Sequence, residues 1–206
     1  MSFHDLDLSE RVSIATAGTA YFARHLARLS DTDLDAPTPL DGWTRRHLVA
    51  HVGYNAAALC RLLDWATTGI ETPMYASPEQ RASEIGAGAT LSPAALRNLF
   101  AHTAARLATG WAELPDTAWS AQVRTAQGRT VPAAETIWMR TREVWIHTVD
   151  LDNGGRFDDF PEVVLDSLFD DITGLWRNRS RAAGGLGSLV SWAAGRGPAA
   201  PPPRWL

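Results

Sequence analysis

The stretch REVWIHTVD, residues 142–150, is the part of the sequence around which we expect the rest of the fold to be arranged. If this stretch is helical, each residue advances about 100° around the axis. Glu143 and His147 then lie about 40° apart on one face, with Asp150 beside them. A carboxylate and an imidazole at this spacing supply two ligands of a metal site. We therefore expect the fold to bring one more histidine to this face and to form a pocket over the open side of the metal.

The composition is typical of a globular protein and excludes several kinds of function. The chain has 206 residues, of which 45% are hydrophobic, and its net charge of −4 gives no electrostatic reason for binding nucleic acid. All 19 basic residues are arginine, so a lysine Schiff base and a phosphate-binding loop lysine are excluded. Cys60 is the only cysteine, which excludes an intramolecular disulfide and zinc sites built on several cysteines.

We expect neither a signal peptide nor a membrane-spanning segment. Residues 1–7 are acidic and lack the basic-then-apolar order of a signal peptide. No run of about 18 apolar residues is present, so we expect no membrane-spanning segment. We therefore expect a cytoplasmic protein that acts as a monomer on small molecules, with no membrane or nucleic-acid partner.

Hydrophobic residues that recur three and four positions apart predict a mainly α protein. The predicted helices cover residues 8–29, 45–68, 93–114, 132–151 and 161–178, followed by a short one at 188–194. Thr44 and Ser92 are the expected N-caps of the second and third helices, and Pro132 is expected to open the fourth at its first position. Residues 71–90 read as mostly loop with at most one short helix, and residues 123–131 as a small hairpin. Four long amphipathic helices indicate a four-helix bundle.

The apolar stripe of the second helix supplies the candidate for the third ligand. His51 lies inside this stripe, where a buried imidazole needs a polar partner. His47 lies one turn earlier and forms a His-x-x-x-His pair with it, so His47 competes as a ligand. We prefer His51 because His47 falls in the first turn and is expected to face solvent. His51, Glu143 and His147 with one open position form a catalytic pattern that favours zinc, although nickel, manganese or iron also suit it.

Ordinary structural roles are open for the same residues. A Glu-x-x-x-His pair is common on helix surfaces without any metal. Arg140 lies near the same face and is an alternative ion-pair partner for Glu143. Asp150 either holds a ligating histidine in place or only marks the end of the helix.

Several motifs in collinear order resemble the mycothiol-dependent maleylpyruvate isomerase family. They are DGWT at 41–44, HLVAHVGYN at 47–55, ETPMY at 71–75, TAQGRTVP at 125–132, REVWIH at 142–147, AAGRG at 193–197 and PPRWL at 202–206. The likeness spans nearly the whole chain. It implies a four-helix bundle of the metal-binding DinB-like superfamily.

The resemblance also implies roles for individual residues. It places zinc on His51, Glu143 and His147, makes mycothiol the thiol cofactor and gives Arg196 a catalytic role. In the family, the counterpart of His47 is not a ligand. Other weaker candidates for holding the substrate or cofactor are Asn55, Arg140 and Arg204.

One departure from the family concerns the C-terminal part. Family members usually carry a longer α/β segment with several strands before the AAGRG motif, and residues 178–187 leave little room for it. We therefore expect a metal-binding bundle domain over residues 1–178. A shortened or remodelled C-terminal segment, a remnant of the family's α/β domain, would then cover residues 179–206.

The reaction implied by the resemblance is cis–trans isomerisation of maleylpyruvate to fumarylpyruvate in gentisate breakdown. A thiolate adds to the double bond, the resulting single bond rotates, and the thiolate leaves. Such an enzyme needs no reactive cysteine, and Cys60 is expected to be a small buried hydrophobe. The open zinc position either holds the thiol sulfur or polarises substrate oxygens. Two alternatives have the same metal site: a DinB-like S-transferase that uses mycothiol or bacillithiol, and a non-catalytic metal-stabilised bundle.

Overall fold

The computed structural model describes residues 2–195, and most of them are helical. The helices are α1 (Leu8–Ala27), α2 (Arg45–Thr68), α3 (Pro78–Ala89), α4 (Pro93–Ala112), α5 (Glu135–Asp150), α6 (Glu162–Ala182) and α7 (Leu186–Ala193). Two short strands, β1 (Gln122–Arg124) and β2 (Thr130–Pro132), form an antiparallel hairpin. None of the helices in this described part has the length and apolar character needed to cross a membrane. The predicted mainly α class is confirmed.

The described residues divide into two compact units. One unit is Leu6–Phe160, and the other combines residues 2–5 with residues 161–195. In the first unit α1, α2, α4 and α5 are the four helices of the predicted bundle: α2 packs on α4, and α5 packs on both α1 and α2. In the second unit α6 and α7 pack together, with the rings of Trp176 and Trp192 edge to face at 5.9 Å.

Local capping explains where α2 and α4 begin. His47 Nδ1 accepts a hydrogen bond from the backbone N–H of Thr44 at 3.3 Å, and the Thr44 side chain caps the backbone N–H of His47 in turn, which is the reciprocal pattern of a capping box. Ser92 Oγ accepts a hydrogen bond from the backbone N–H of Ala95 at 3.3 Å, with Pro93 at the first helical position. Both predicted N-caps are confirmed, and α2 ends before Gly69 as predicted.

The prediction that Pro132 opens the fourth bundle helix is wrong. Pro132 is the last residue of β2 and lies opposite Gln122. The chain keeps the hairpin pairing for one further step, because the backbone N–H of Ala133 donates to the carbonyl of Ala121 at 2.9 Å. Helix α5 therefore begins only at Glu135.

The segment predicted as mostly loop between residues 71 and 90 contains a full helix. Helix α3 has 12 residues. Its N-cap is Ser77, whose Oγ accepts a hydrogen bond from the backbone N–H of Gln80 at 3.2 Å. Gly86 and Gly88 lie within it and lower its helix propensity. Gly88 allows a close approach to α2, because a Cβ at this position would lie 2.7 Å from the Cβ of Ala50. Packing against α2 therefore stabilises a helix that propensity alone does not predict.

A close contact between α1 and α5 holds the helix that carries Glu143 and His147. A Cβ added to Gly18 of α1 would lie 2.5 Å from Trp145 Nε1 and 2.7 Å from a methyl carbon of Val144. Trp145 Nε1 also donates a hydrogen bond to the carbonyl of Ile14 at 3.3 Å. The two helices therefore pack at a distance that only glycine permits.

Replacing Gly18 with alanine is expected to lower the free energy of unfolding by about 1–3 kcal/mol, since the new methyl group has to displace the Trp145 ring. Urea unfolding followed by circular dichroism measures the change. Gly86→Ala is the matched control, because no atom lies within 4 Å of its added Cβ. That variant is expected to gain about 0.5–1 kcal/mol from helix propensity. A Gly18→Ala protein as stable as the wild type would contradict the proposed close packing.

Candidate metal centre

His51 of α2 and Glu143 and His147 of α5 converge on one point. One potential ligand atom from each residue lies within 4.8 Å of the other two. Glu143 Oε2 is 2.8 Å from His51 Nε2 and 3.1 Å from His147 Nε2. The two imidazole rings are nearly perpendicular, with centroids 5.0 Å apart. The fold therefore brings together the three residues that the sequence singles out.

Arg45 ties the helices together at one end of this cluster. It lies at the start of α2, and its guanidinium donates to the carbonyl of Leu151 at 2.6 Å and to that of Asp152 at 2.8 Å. These carbonyls lie just beyond the C-terminus of α5, where backbone acceptors lack helical partners. The N-terminus of α2 is thereby held against the C-terminus of α5, which sets His51 opposite Glu143.

Arg140 ties the same two helices together on the other side. It is 1% exposed, and its Nη1 donates to the carbonyl of Val52 at 2.7 Å and to Asn55 Oδ1 at 3.1 Å. Among the residues that the structure describes, its Nε and Nη2 have no hydrogen-bond partner. Burial lowers the pKa of Arg140 to about 10. Arg140 donates these hydrogen bonds to α2 and not to Glu143. The ion pair between Arg140 and Glu143, which the sequence left open, therefore does not form.

The charges of the cluster follow from its burial and its internal contacts. Burial lowers the pKa of His51, so this ring is neutral. Burial acts to raise the pKa of Glu143, but the neighbouring His51 and His147 outweigh it and hold that pKa well below its usual range. Burial acts to lower the pKa of His147, but hydrogen bonds to Asp150 and Glu143 outweigh it and raise that pKa to about 9. At neutral pH the metal-free cluster therefore contains a carboxylate, a neutral imidazole and an imidazolium.

Asp150 contacts the far side of the His147 ring. Its Oδ2 lies 2.8 Å from His147 Nδ1, which keeps a proton on Nδ1 and turns Nε2 toward Glu143. This is the geometry expected of a carboxylate that orients a ligating histidine.

Zinc binding is expected to release about one proton per chain at pH 7, because His147 has to lose its second proton before Nε2 can bind a metal. Zinc affinity should therefore rise as the pH increases toward 9 and level off above it. Calorimetric titration with zinc in two buffers of different ionisation enthalpy counts the protons released. Asp150→Asn should release fewer, because the pKa of His147 falls when this carboxylate is lost. Zinc binding with no proton release in the wild type would contradict this charge assignment.

Trp43 and Arg81 contact the cluster, and Tyr75 lies against Arg81; sequence reasoning gave none of the three a role at the site. The ring of Trp43 lies edge-on to His51 at 5.3 Å. Arg81 of α3 places Nη2 3.3 Å from His51 Nδ1, and its guanidinium carbon lies 5.9 Å from the ring centroid of Tyr75. The Ser77-Pro78 capping signal could have revealed α3, but only the packing of α3 on α2 places Arg81 at His51.

The other residues considered in the sequence either have separate structural roles or lie outside the described part of the chain. His47 is occupied in the N-terminal cap of α2. Cys60 is buried, and burial raises the pKa of its thiol. Arg196 and Arg204 lie outside the described residues.

A four-helix bundle in which two histidines and a glutamate converge defines the DinB-like class of metal-binding bundles. The sequence profile described as "Mycothiol maleylpyruvate isomerase N-terminal domain" matches residues 15–152. The chain therefore belongs to the mycothiol maleylpyruvate isomerase family, as its motifs predict.

Two solved structures are similar to this chain over most of its length. They are the crystal structures of a mycothiol-dependent maleylpyruvate isomerase and of its histidine-to-alanine mutant. Each is 53% identical to this chain, with a TM-score of 0.86, and the match covers 87% of this chain and 75% of the crystallised one. No curated protein matches the sequence. Residues 161–195 form the two helices α6 and α7 and, within that range, no strand.

Proposed function

We propose that this protein catalyses the mycothiol-dependent cis–trans isomerisation of maleylpyruvate to fumarylpyruvate. The observation that carries the proposal is the convergence of His51, Glu143 and His147 within 4.8 Å in a member of this family. The 53% identity to a crystallised mycothiol-dependent maleylpyruvate isomerase supports the same substrate and cofactor.

The donor set of the cluster suits zinc in a catalytic site. His51, Glu143 and His147 offer two imidazole nitrogens and one carboxylate oxygen, the usual number of protein ligands when a fourth position is left for a reacting molecule. A bound zinc ion supplies positive charge, which lowers the pKa of a coordinated thiol or polarises a substrate oxygen. Glu143 balances part of this charge, while Asp150 keeps the ring of His147 in the orientation that binds through Nε2.

The chain's own thiol is unsuited to the reaction, which supports the need for an external one. Cys60 is buried in α2, and burial raises the pKa of its thiol, so little reactive thiolate forms at neutral pH. Mycothiol supplies the nucleophilic sulfur, whose reversible addition turns the double bond into a single bond that can rotate.

We also propose that Arg196 stabilises the negative charge that develops on a substrate oxygen. The support is the likeness of the AAGRG segment, residues 193–197, to the family motif. Arg196→Ala is expected to retain zinc and to lower kcat by about 100-fold or more. Elemental analysis and steady-state kinetics on the same sample measure both. Unchanged turnover would remove Arg196 from the chemistry.

We further propose that the protein acts in the cytoplasm as a monomer. All three donor residues lie within the single unit Leu6–Phe160, so one chain supplies the whole donor set. Sedimentation of the zinc-loaded protein should give the mass of one chain, and a dimer mass would contradict the proposal.

Incubation of the zinc-loaded protein with maleylpyruvate and mycothiol, followed by proton NMR, tests the proposed reaction. An isomerase forms fumarylpyruvate while the thiol concentration stays constant. An S-transferase would instead consume thiol in proportion to a stable thioether product formed with maleylpyruvate or a chlorodinitrobenzene probe. A non-catalytic bundle would change neither the substrate nor the thiol. Only the first result supports the proposal.

A further inference from the structure

The two histidines of the cluster have partners of opposite charge at their Nδ1 atoms. His147 Nδ1 faces the Asp150 carboxylate at 2.8 Å, whereas His51 Nδ1 faces Nη2 of Arg81 at 3.3 Å. A guanidinium can only donate hydrogen bonds, so His51 Nδ1 is the acceptor in this contact. The proton of the neutral His51 ring is then on Nε2, from which it is donated to Glu143 Oε2 at 2.8 Å.

This arrangement is incompatible with a metal on His51 Nε2. The metal takes the lone pair of Nε2, so the proton of the neutral ring must be on Nδ1. His51 Nδ1 and Arg81 Nη2 would then both be donors, and their hydrogen bond would be lost. Metal loading therefore frees the guanidinium of Arg81 for an acceptor that arrives with a ligand.

The surroundings of Arg81 leave its charge available for such an acceptor. Its side chain is half-buried, and within residues 2–195 it contacts the His51 ring and Tyr75 and forms no ion pair with a carboxylate. Glu84 lies one turn further along α3, but its carboxylate is paired with Arg61, at 3.7 Å. Burial raises the pKa of Tyr75 to about 12, so the phenol beside Arg81 stays neutral. Within the described part of the chain, Arg81 is thus a cation at the edge of the metal centre without a paired carboxylate.

We propose that Arg81 binds a carboxylate of the substrate once the metal centre is loaded. This inference rests on the proposed function, since maleylpyruvate is a dicarboxylate. The planar guanidinium matches a carboxylate with two parallel hydrogen bonds, and the ring of Tyr75 supports its face. Mycothiol has no carboxylate, so Arg81 acts on the binding of substrate and not of thiol.

Calorimetric titration with maleate tests the proposal without turnover. Zinc-loaded wild type, Arg81→Gln, Arg81→Lys and the control Arg106→Gln are compared, and zinc content is measured in each. Arg106 is an exposed residue of α4 that pairs with Asp64 at 3.5 Å. Arg81→Gln should weaken maleate binding about tenfold or more, equivalent to about 1.4 kcal/mol, while Arg81→Lys should weaken it less. Zinc content and the affinity of the control should stay at wild-type levels.

The same variants separate substrate binding from chemistry in kinetic assays. Arg81→Gln should raise KM for maleylpyruvate about tenfold, with kcat and the KM for mycothiol near wild-type values. Removing zinc from the wild type should also weaken maleate binding, because Arg81 then returns to His51.

Three results would overturn the proposal: a wild type that does not bind maleate, an Arg81→Gln variant with wild-type maleate affinity, and an Arg81→Gln variant that has lost its zinc. If the wild type binds maleate through Arg81 but does not isomerise maleylpyruvate, the carboxylate site stands and the proposed reaction fails.

Discussion

His51→Ala is expected to remove bound zinc and isomerase activity together. The substitution deletes the only ligand that α2 contributes, so Glu143 and His147 remain as a two-residue site on a single helix. Two protein ligands are fewer than catalytic zinc sites use, and zinc occupancy should fall from about one per chain to below about one tenth. Elemental analysis after gel filtration, with a rate measurement on the same sample, measures both effects.

Two histidine variants serve as controls for this result. His102 is exposed on α4, and its replacement by alanine should change neither zinc content nor rate. His47→Ala removes the partner of Thr44 in the N-terminal cap of α2, so it should retain zinc and lose about 0.5–2 kcal/mol of stability. Full zinc occupancy in His51→Ala would remove His51 from the centre. Loss of zinc in His47→Ala would transfer the ligand role to His47.

Glu143→Gln is expected to weaken zinc binding by about 100-fold or more, although the side chain keeps its shape. Glu143 Oε2 lies within 3.1 Å of Nε2 of His147 and within 2.8 Å of Nε2 of His51, so it is the central donor of the cluster. A neutral amide is a weaker ligand for a divalent cation than a carboxylate and leaves its charge unbalanced. Competition with a chromophoric chelator measures the affinity. Glu113→Gln, an exposed change at the end of α4, is the matched control.

The same variant tests the origin of the raised pKa of His147. Without Glu143 the imidazolium keeps only Asp150 as an anionic partner, so its pKa should fall below 9. Titration of the ring protons by NMR in the metal-free protein follows this change. Wild-type zinc affinity together with an unchanged pKa would show that the carboxylate is not part of the centre.

The features that local sequence determines could be predicted. The starts of α2 and α4 depend on Thr44 and Ser92, whose capping partners lie three positions away. The pairing of Glu143 with His147 depends only on helical spacing, and the position of His51 in an apolar stripe places it in the interior. These signals are sufficient to bring the three residues into one hypothesis.

The features that depend on contacts between distant segments could not be predicted. Pro132 suits both a helix start and a strand end, and the hairpin decides between them through the hydrogen bond between Ala133 and Ala121. Arg140 is one turn from Glu143, which suggests an ion pair, but the Val52 carbonyl and Asn55 on α2 take its hydrogen bonds instead. In both cases a long-range contact overrides the local interpretation.

The position of Arg81 is a further example of such a contact. It lies in a segment whose prolines and glycines indicate loop, and only the packing of α3 on α2 brings its guanidinium to His51. The different partners of His51 and His147 therefore emerge from tertiary structure, although both residues are visible in the sequence.

A catalytic metal centre is tested most directly by the rate of maleylpyruvate isomerisation by the wild-type protein, measured with mycothiol before and after a chelator removes the metal. We expect the stripped protein to be inactive and about one equivalent of zinc per chain to restore the full rate. We also expect no isomerisation by the zinc-loaded protein without the thiol. A stripped protein that isomerises maleylpyruvate at the full rate would contradict a metal centre at His51, Glu143 and His147 as the site of the reaction.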